Sequence, residues 1–139
     1  MLAKVNIRIR SSIANEGESA PELADEAHEG YIKYDESALL LLSYKVKTEG
    51  GSVTTELIPE DGAIRLVRRG AIASDLTFRE GTSHKSLYTV APYSFDMSVH
   101  TDSLAVRLDT DGGEVHISYR MDIGGAEKTC LMHLSYSRI

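Results

Sequence analysis

Along most of this chain apolar and polar side chains alternate with a period of two, the pattern of strands that bury one face. Across residues 3–13, Val5, Ile7, Ile9 and Ile13 share one parity, and Lys4, Asn6, Arg8 and Arg10 take the other. Residues 15–21 read as a polar turn or loop. A second strand runs from about Leu23 to Tyr34, and Leu23, Ala27 and Tyr31 are assigned to its apolar face. After a break at Asp35-Glu36-Ser37, residues 38–48 carry two patterns. The four leucines from Leu39 to Leu42 fit a helix capped by Ser37. Leu40, Leu42, Tyr44 and Val46 alternate with Ser43, Lys45 and Lys47, which favours a strand.

The rest of the chain repeats this alternation between turn signals. Gly50-Gly51 joins it to residues 52–58, rich in Val and Thr, as a two-residue hairpin. In Pro59-Glu60-Asp61-Gly62 the proline sets φ and the glycine supplies a positive one. Residues 63–69 and 71–78 follow on either side of Gly70, and Arg79-Glu80-Gly81 turns into residues 82–89. Beyond Ala91-Pro92-Tyr93, two apolar series appear in turn: Phe95, Met97 and Val99, then Leu104, Val106 and Leu108. Asp111-Gly112-Gly113 and Gly124-Gly125 set off the last two strands, with Val115, Ile117, Tyr119 and Met121 on one and Cys130, Met132, Leu134 and Tyr136 on the other.

Sequential strands joined by tight turns pair antiparallel as a meander. A flat meander this wide leaves two open edges, and closure removes them. The expected fold is therefore all-β: an antiparallel up-and-down barrel, closed or nearly closed, of about 8–10 strands. A two-sheet β-sandwich is the alternative. No boundary, low-complexity tract or internal repeat divides residues 1–139, so one domain is expected.

Composition narrows the function classes. The formal charge of −6 argues against nucleic acid or an anionic membrane as principal partner. No stretch approaches the roughly 20 apolar residues of a membrane helix, and residues 1–10 lack the apolar core of a signal peptide. The single cysteine excludes an intramolecular disulfide framework. A cytoplasmic protein is the expectation.

An ordered series of short motifs then stands out. Ile64-Arg65-Leu66-Val67-Arg68-Arg69-Gly70 and Leu76-Thr77-Phe78-Arg79-Glu80-Gly81 are followed by Tyr88, Pro92-Tyr93, Gly112-Gly113 and Ile117-Ser118-Tyr119, with Glu29-Gly30-Tyr31 upstream. The series resembles the YwiB-like family, small bacterial proteins of unknown function. The resemblance spans nearly the whole chain and implies a calycin-like (lipocalin-like) β-barrel; it implies no activity. The family's Thr-Pro-aromatic-Gly stands here as Ala91-Pro92-Tyr93-Ser94.

Few residues carry candidate chemistry. Cys130 shares its parity with Met132, Leu134 and Tyr136, as a buried inert thiol would. No nucleophile elbow, phosphate-binding glycine loop or carboxylate pair occurs, so no catalytic residues and no cofactor are expected. The histidines are His28, His84, His100, His116 and His133. His116 and His133 can meet across the last hairpin, but polar-face histidines are usually solvated, and no metal site is expected.

Arg68 is different. It shares a parity with Ile64 and Leu66 and so points at the apolar face, where a lone guanidinium is costly. Asp25 and Glu29 are the partners offered by parity for an internal ion pair. A bulge near Gly70 would instead turn Arg68 outward. The remaining reading makes Arg68 an anchor for an anionic group in the lumen. Candidate ligand-binding residues are then Arg68, Glu29, Tyr31, Tyr44 and Tyr119. The favoured function is a non-catalytic barrel module binding a small amphipathic or anionic ligand. The alternative is an interaction module, a homodimer with a side-chain-filled barrel.

Overall fold

The computed structural model describes residues 1–18, 20–36 and 38–139. Ten strands follow one another: β1 (Leu2–Asn15), β2 (Glu22–Tyr34), β3 (Leu39–Thr48), β4 (Gly51–Glu60), β5 (Ala63–Gly70), β6 (Ser74–Phe78), β7 (Ser83–Val90), β8 (Tyr93–Leu108), β9 (Gly112–Ile123) and β10 (Ala126–Arg138). They form a single antiparallel sheet in the order β6-β5-β4-β3-β2-β1-β10-β9-β8-β7. The two terminal strands of that order meet, through a bridge between Ala73 and Thr89, and the sheet curls into a nearly closed barrel. Among the described residues there is no helix long and apolar enough to cross a membrane.

The segment after Asp35 that fits either helix or strand forms a strand, β3, and the proposed cap Ser37 lies outside the described residues. Tight turns at Asp61-Gly62 and Gly124-Gly125 close hairpins, with Gly62 at φ 68° and Gly124 at φ 58°, the left-handed region that only glycine enters freely. The inward face is apolar: Val5, Ile7 and Ile9 on β1, Leu42 and Tyr44 on β3, Leu57 on β4, Leu66 on β5, Phe78 on β6, Val99 on β8, Val115 and Ile117 on β9, and Leu134 and Tyr136 on β10 are all buried.

Two departures from the expected pattern have local causes. The series ending at Val99 and the one starting at Leu104 belong to one strand, β8. The register slips between Thr101 and Ser103, so Asp102 is the extra residue of a bulge, and the inward parity changes from odd to even. On β2 the inward parity is the even one. Ile7 opposes His28, Val5 opposes Gly30, and Leu42 opposes Ile32. Leu23, Ala27 and Tyr31 face solvent, with Leu23 78% and Tyr31 43% exposed.

β2 pairs with β3 only from Gly30 to Tyr34, so residues 22–29 have no paired strand on that side among the described residues. Below Gly30 the barrel wall opens, and Glu22, Ala24 and Glu26, on the inward parity, are exposed. Gly30 marks the start of this opening. A Cβ there would lie 2.2 Å from the Ser43 carbonyl oxygen and 2.8 Å from Ile7 Cδ1.

Candidate functional site

The register carries Arg68 into the barrel. It opposes Thr55 on β4 and Ser74 on β6, and Thr55 in turn opposes Tyr44 on β3. Thr55, Ser74 and Tyr44 are buried and Arg68 is half-buried. Pairing continues without slip as far as Gly70, so no bulge turns the side chain outward. None of the ion pairs among the described residues involves Arg68.

Two phenols stand in the field of this guanidinium. Burial pushes the Tyr44 hydroxyl above the ordinary tyrosine range, while Arg68 and Thr55 favour its ionised form. Burial, reinforced by Cys130, pushes Tyr119 well above that range, and Arg68 again acts in the opposite sense. Tyr119 also meets Phe78 edge-on, with ring centroids 4.9 Å apart. The His28 ring stacks on Tyr44 at 4.8 Å. Its Nε2 lies 3.5 Å from Glu26 Oε1 but without hydrogen-bond geometry. The buried hydroxyl of Thr101, whose residue opposes Tyr119, has no partner among the described residues either. A guanidinium, two phenols, a hydroxyl and an imidazole nitrogen therefore belong to one inner wall, and part of their hydrogen-bonding capacity is unused.

The five residues singled out from the sequence divide three to two. Arg68, Tyr44 and Tyr119 come together inside. Glu29 and Tyr31 do not, because they sit on the outward parity of β2, opposite Asn6 and Lys4. Asp25 is outward too, and its carboxylate holds Arg8 at 2.8 Å and Arg10 at 3.9 Å, which keeps it below the usual carboxylate range. The acidic group whose charge reaches Tyr44 is Glu26, one residue from the Asp25 that parity suggested, and it also lies 3.5 Å from His28 Nε2. His28, one of the five histidines named above, and Thr101 are not placed on the inner wall by the sequence because their side chains carry no apolar signal; only the register puts them there. Cys130 is a buried free thiol, raised by that burial, with Tyr119 beside it.

The outer face of β9 and β10 holds a second cluster. His116 opposes His133, and the two rings stack at 4.0 Å. Glu114 Oε2 lies 3.5 Å from His116 Nε2. His100 is elsewhere, bonded to Ser83 at 2.8 Å.

A ten-stranded antiparallel barrel with a polar patch on an otherwise apolar inner wall places this chain among the small all-β barrel proteins. More narrowly, it belongs to the family described as "Domain of unknown function (DUF1934)", whose pattern matches residues 7–134. It is 23% identical over 124 residues to the uncharacterized beta-barrel protein YwiB of Bacillus subtilis (strain 168), across 89% of this chain and 85% of that one. The crystal structure of the Bacillus subtilis YwiB protein aligns with a TM-score of 0.88 at 22% identity, covering 99% of this chain and 93% of that chain. That likeness bears out the expected barrel in place of the sandwich, and at such identity it speaks for the fold alone.

Proposed function

We propose that this protein is a non-catalytic binding module that takes the anionic end of a small amphipathic ligand at Arg68. The ligand enters through the opening between β2 and β3. One observation carries the reading: among the described residues the half-buried guanidinium on the inner wall has no carboxylate partner, and His28 Nε2 and the Thr101 hydroxyl on the same wall have no hydrogen-bond partner. A carboxylate or phosphate would complete the cluster, because Arg68 offers a planar fork of donors and the Tyr44 and Tyr119 hydroxyls add single ones. Phe78, packed against Tyr119, and Val46 on the inward parity of β3 offer apolar surface to the rest of the ligand. The calycin-like architecture implied by the sequence motifs suits the same role.

Native mass spectrometry of the purified protein tests this directly, with 8-anilinonaphthalene-1-sulfonate as an anionic amphipathic probe. Retained small-molecule mass, or probe binding that Arg68→Met abolishes while the circular dichroism spectrum is unchanged, is the expected result. Equal probe affinity in wild type and Arg68→Met would overturn it. A dimer with no added mass and no probe binding would favour the association module instead.

A further inference from the structure

The barrel's outer face carries a different chemistry, independent of Arg68. Glu114 and His116 are two residues apart on β9 and so project from the same face, and His133 stands directly across on β10. One donor atom from each of the three lies within 4.8 Å of the others. His133 Nε2 is buried and has no hydrogen-bond partner among the described residues.

We propose that Glu114, His116 and His133 form a binding site for a divalent transition metal of the zinc type. The donor set is two imidazoles and one carboxylate, which suits such an ion and leaves a position open for water or a further ligand. Tetrahedral bonds of about 2.0–2.1 Å require donor atoms roughly 3.3 Å apart. His116 is exposed and Glu114 half-buried at the surface, so rotation about their side-chain bonds can close the distance from 4.8 Å without moving the strands. Coordination would also occupy the unsatisfied nitrogen of His133, which a solvated surface histidine would not leave buried and empty.

Nearby positive charge is the main objection, and the ion pairs answer it. Arg10 opposes His133, and Arg8 lies one layer away opposite Ser135. Both are within ion-pair distance of Asp25. Arg107 opposes Glu114 but pairs with Asp109 at 3.1 Å. Arg8 and Arg10 thus share the Asp25 carboxylate and Arg107 has that of Asp109, and among the described residues the only ion pair of Glu114 is with His116. Histidines on a polar strand face are usually solvated, which is why no metal site is expected from the sequence, although the Gly124-Gly125 hairpin brings His116 and His133 opposite each other.

Isothermal titration of the full chain with zinc chloride tests the site. One equivalent is expected to bind, with at least a tenfold loss of affinity in His116→Ala and in His133→Ala and a smaller loss in Glu114→Gln. His100→Gln and Cys130→Ser, which lie outside the cluster, should bind as wild type does. Because His133 is half-buried, the exposed His116→Ala variant keeps the test separate from folding. Absence of zinc binding in wild type, or binding undiminished in both histidine variants, would overturn the proposal.

Discussion

The backbone N–H of Thr77 on β6 donates to Nδ1 of His84 on β7, 3.2 Å away, across the seam where the barrel closes. Strand pairing there reduces to the reciprocal bonds between Ala73 and Thr89, both 2.9 Å. An imidazole nitrogen thus takes the place of a backbone carbonyl, and only the neutral ring with its proton on Nε2 can accept this bond. It satisfies an N–H that an open edge would leave free. His84→Ala is expected to destabilise the barrel by about 1 kcal/mol. Hydrogen exchange at the Thr77 amide should accelerate by more than the global loss accounts for. Urea unfolding and exchange measured on the two proteins check this, and an unchanged Thr77 amide would refute the seam role of His84.

Gly30 imposes a constraint of another kind. Its φ is ordinary, yet a Cβ would meet the Ser43 carbonyl oxygen at 2.2 Å and Tyr44 Cβ at 3.1 Å. The first obstacle is backbone, tied into the β2–β3 pairing, so it cannot swing aside as a flexible side chain would. Gly30→Ala should therefore cost at least ~2 kcal/mol in urea unfolding. It should also widen the opening beside Tyr44, which near-ultraviolet circular dichroism would register as a changed tyrosine signal.

Much of this architecture can be read from alternation alone. The parities of β1, β5, β9 and β10 are visible because, Arg68 apart, their inward positions are mostly aliphatic or aromatic and their outward ones mostly polar, with Val67 on β5 and Leu131 on β10 among the exceptions. The inward face of β2 carries Glu22, Ala24, Glu26, His28 and Gly30. It borders an opening in place of a packed wall, so hydrophobicity has little to report there, and the four-residue spacing of Leu23, Ala27 and Tyr31 points to the wrong side. The bulge at Asp102 likewise makes one strand look like two. Arg68 was legible because it breaks an otherwise apolar parity. What surrounds it was not, since register between strands arises from turn geometry and packing, not from either strand by itself.

The buried phenols set the alkaline limit of stability. Tyr44 and Tyr119 are raised by burial, and Tyr136 is pushed up to about 12 by burial and by Asp109, while its hydroxyl donates to the Asp109 carbonyl at 2.6 Å. A phenol with a higher pKa folded than unfolded favours the folded state fully below the unfolded value of about 10. That contribution falls away as pH rises from about 10 through the folded values. Unfolding free energy is expected to decline from pH 10 upward, and absorbance at 295 nm should show tyrosines that ionise only as the barrel unfolds. Tyr119→Phe should flatten the decline, and an identical slope in that variant would show that Tyr119 is not among the groups responsible.

Arg68 offers a final prediction, because a structural cation and a ligand anchor respond oppositely to its removal. A guanidinium that completes an internal ion pair leaves a buried carboxylate uncompensated when deleted, at a cost of about 3–5 kcal/mol. Arg68 has no such partner among the described residues, and its position opposite Thr55 and Ser74 leaves only neutral hydroxyls to lose a neighbour. Arg68→Met replaces a half-buried charge with an apolar side chain of similar length. The ligand-free variant is expected to unfold within about 1 kcal/mol of wild type, or at higher denaturant, since removing an unpaired charge relieves its desolvation. The Tyr44 and Tyr119 phenols should titrate later still without the cation that favours their ionised forms. Urea unfolding of both proteins after extraction of any bound small molecule gives the comparison, and a loss near 3 kcal/mol would mark Arg68 as structural.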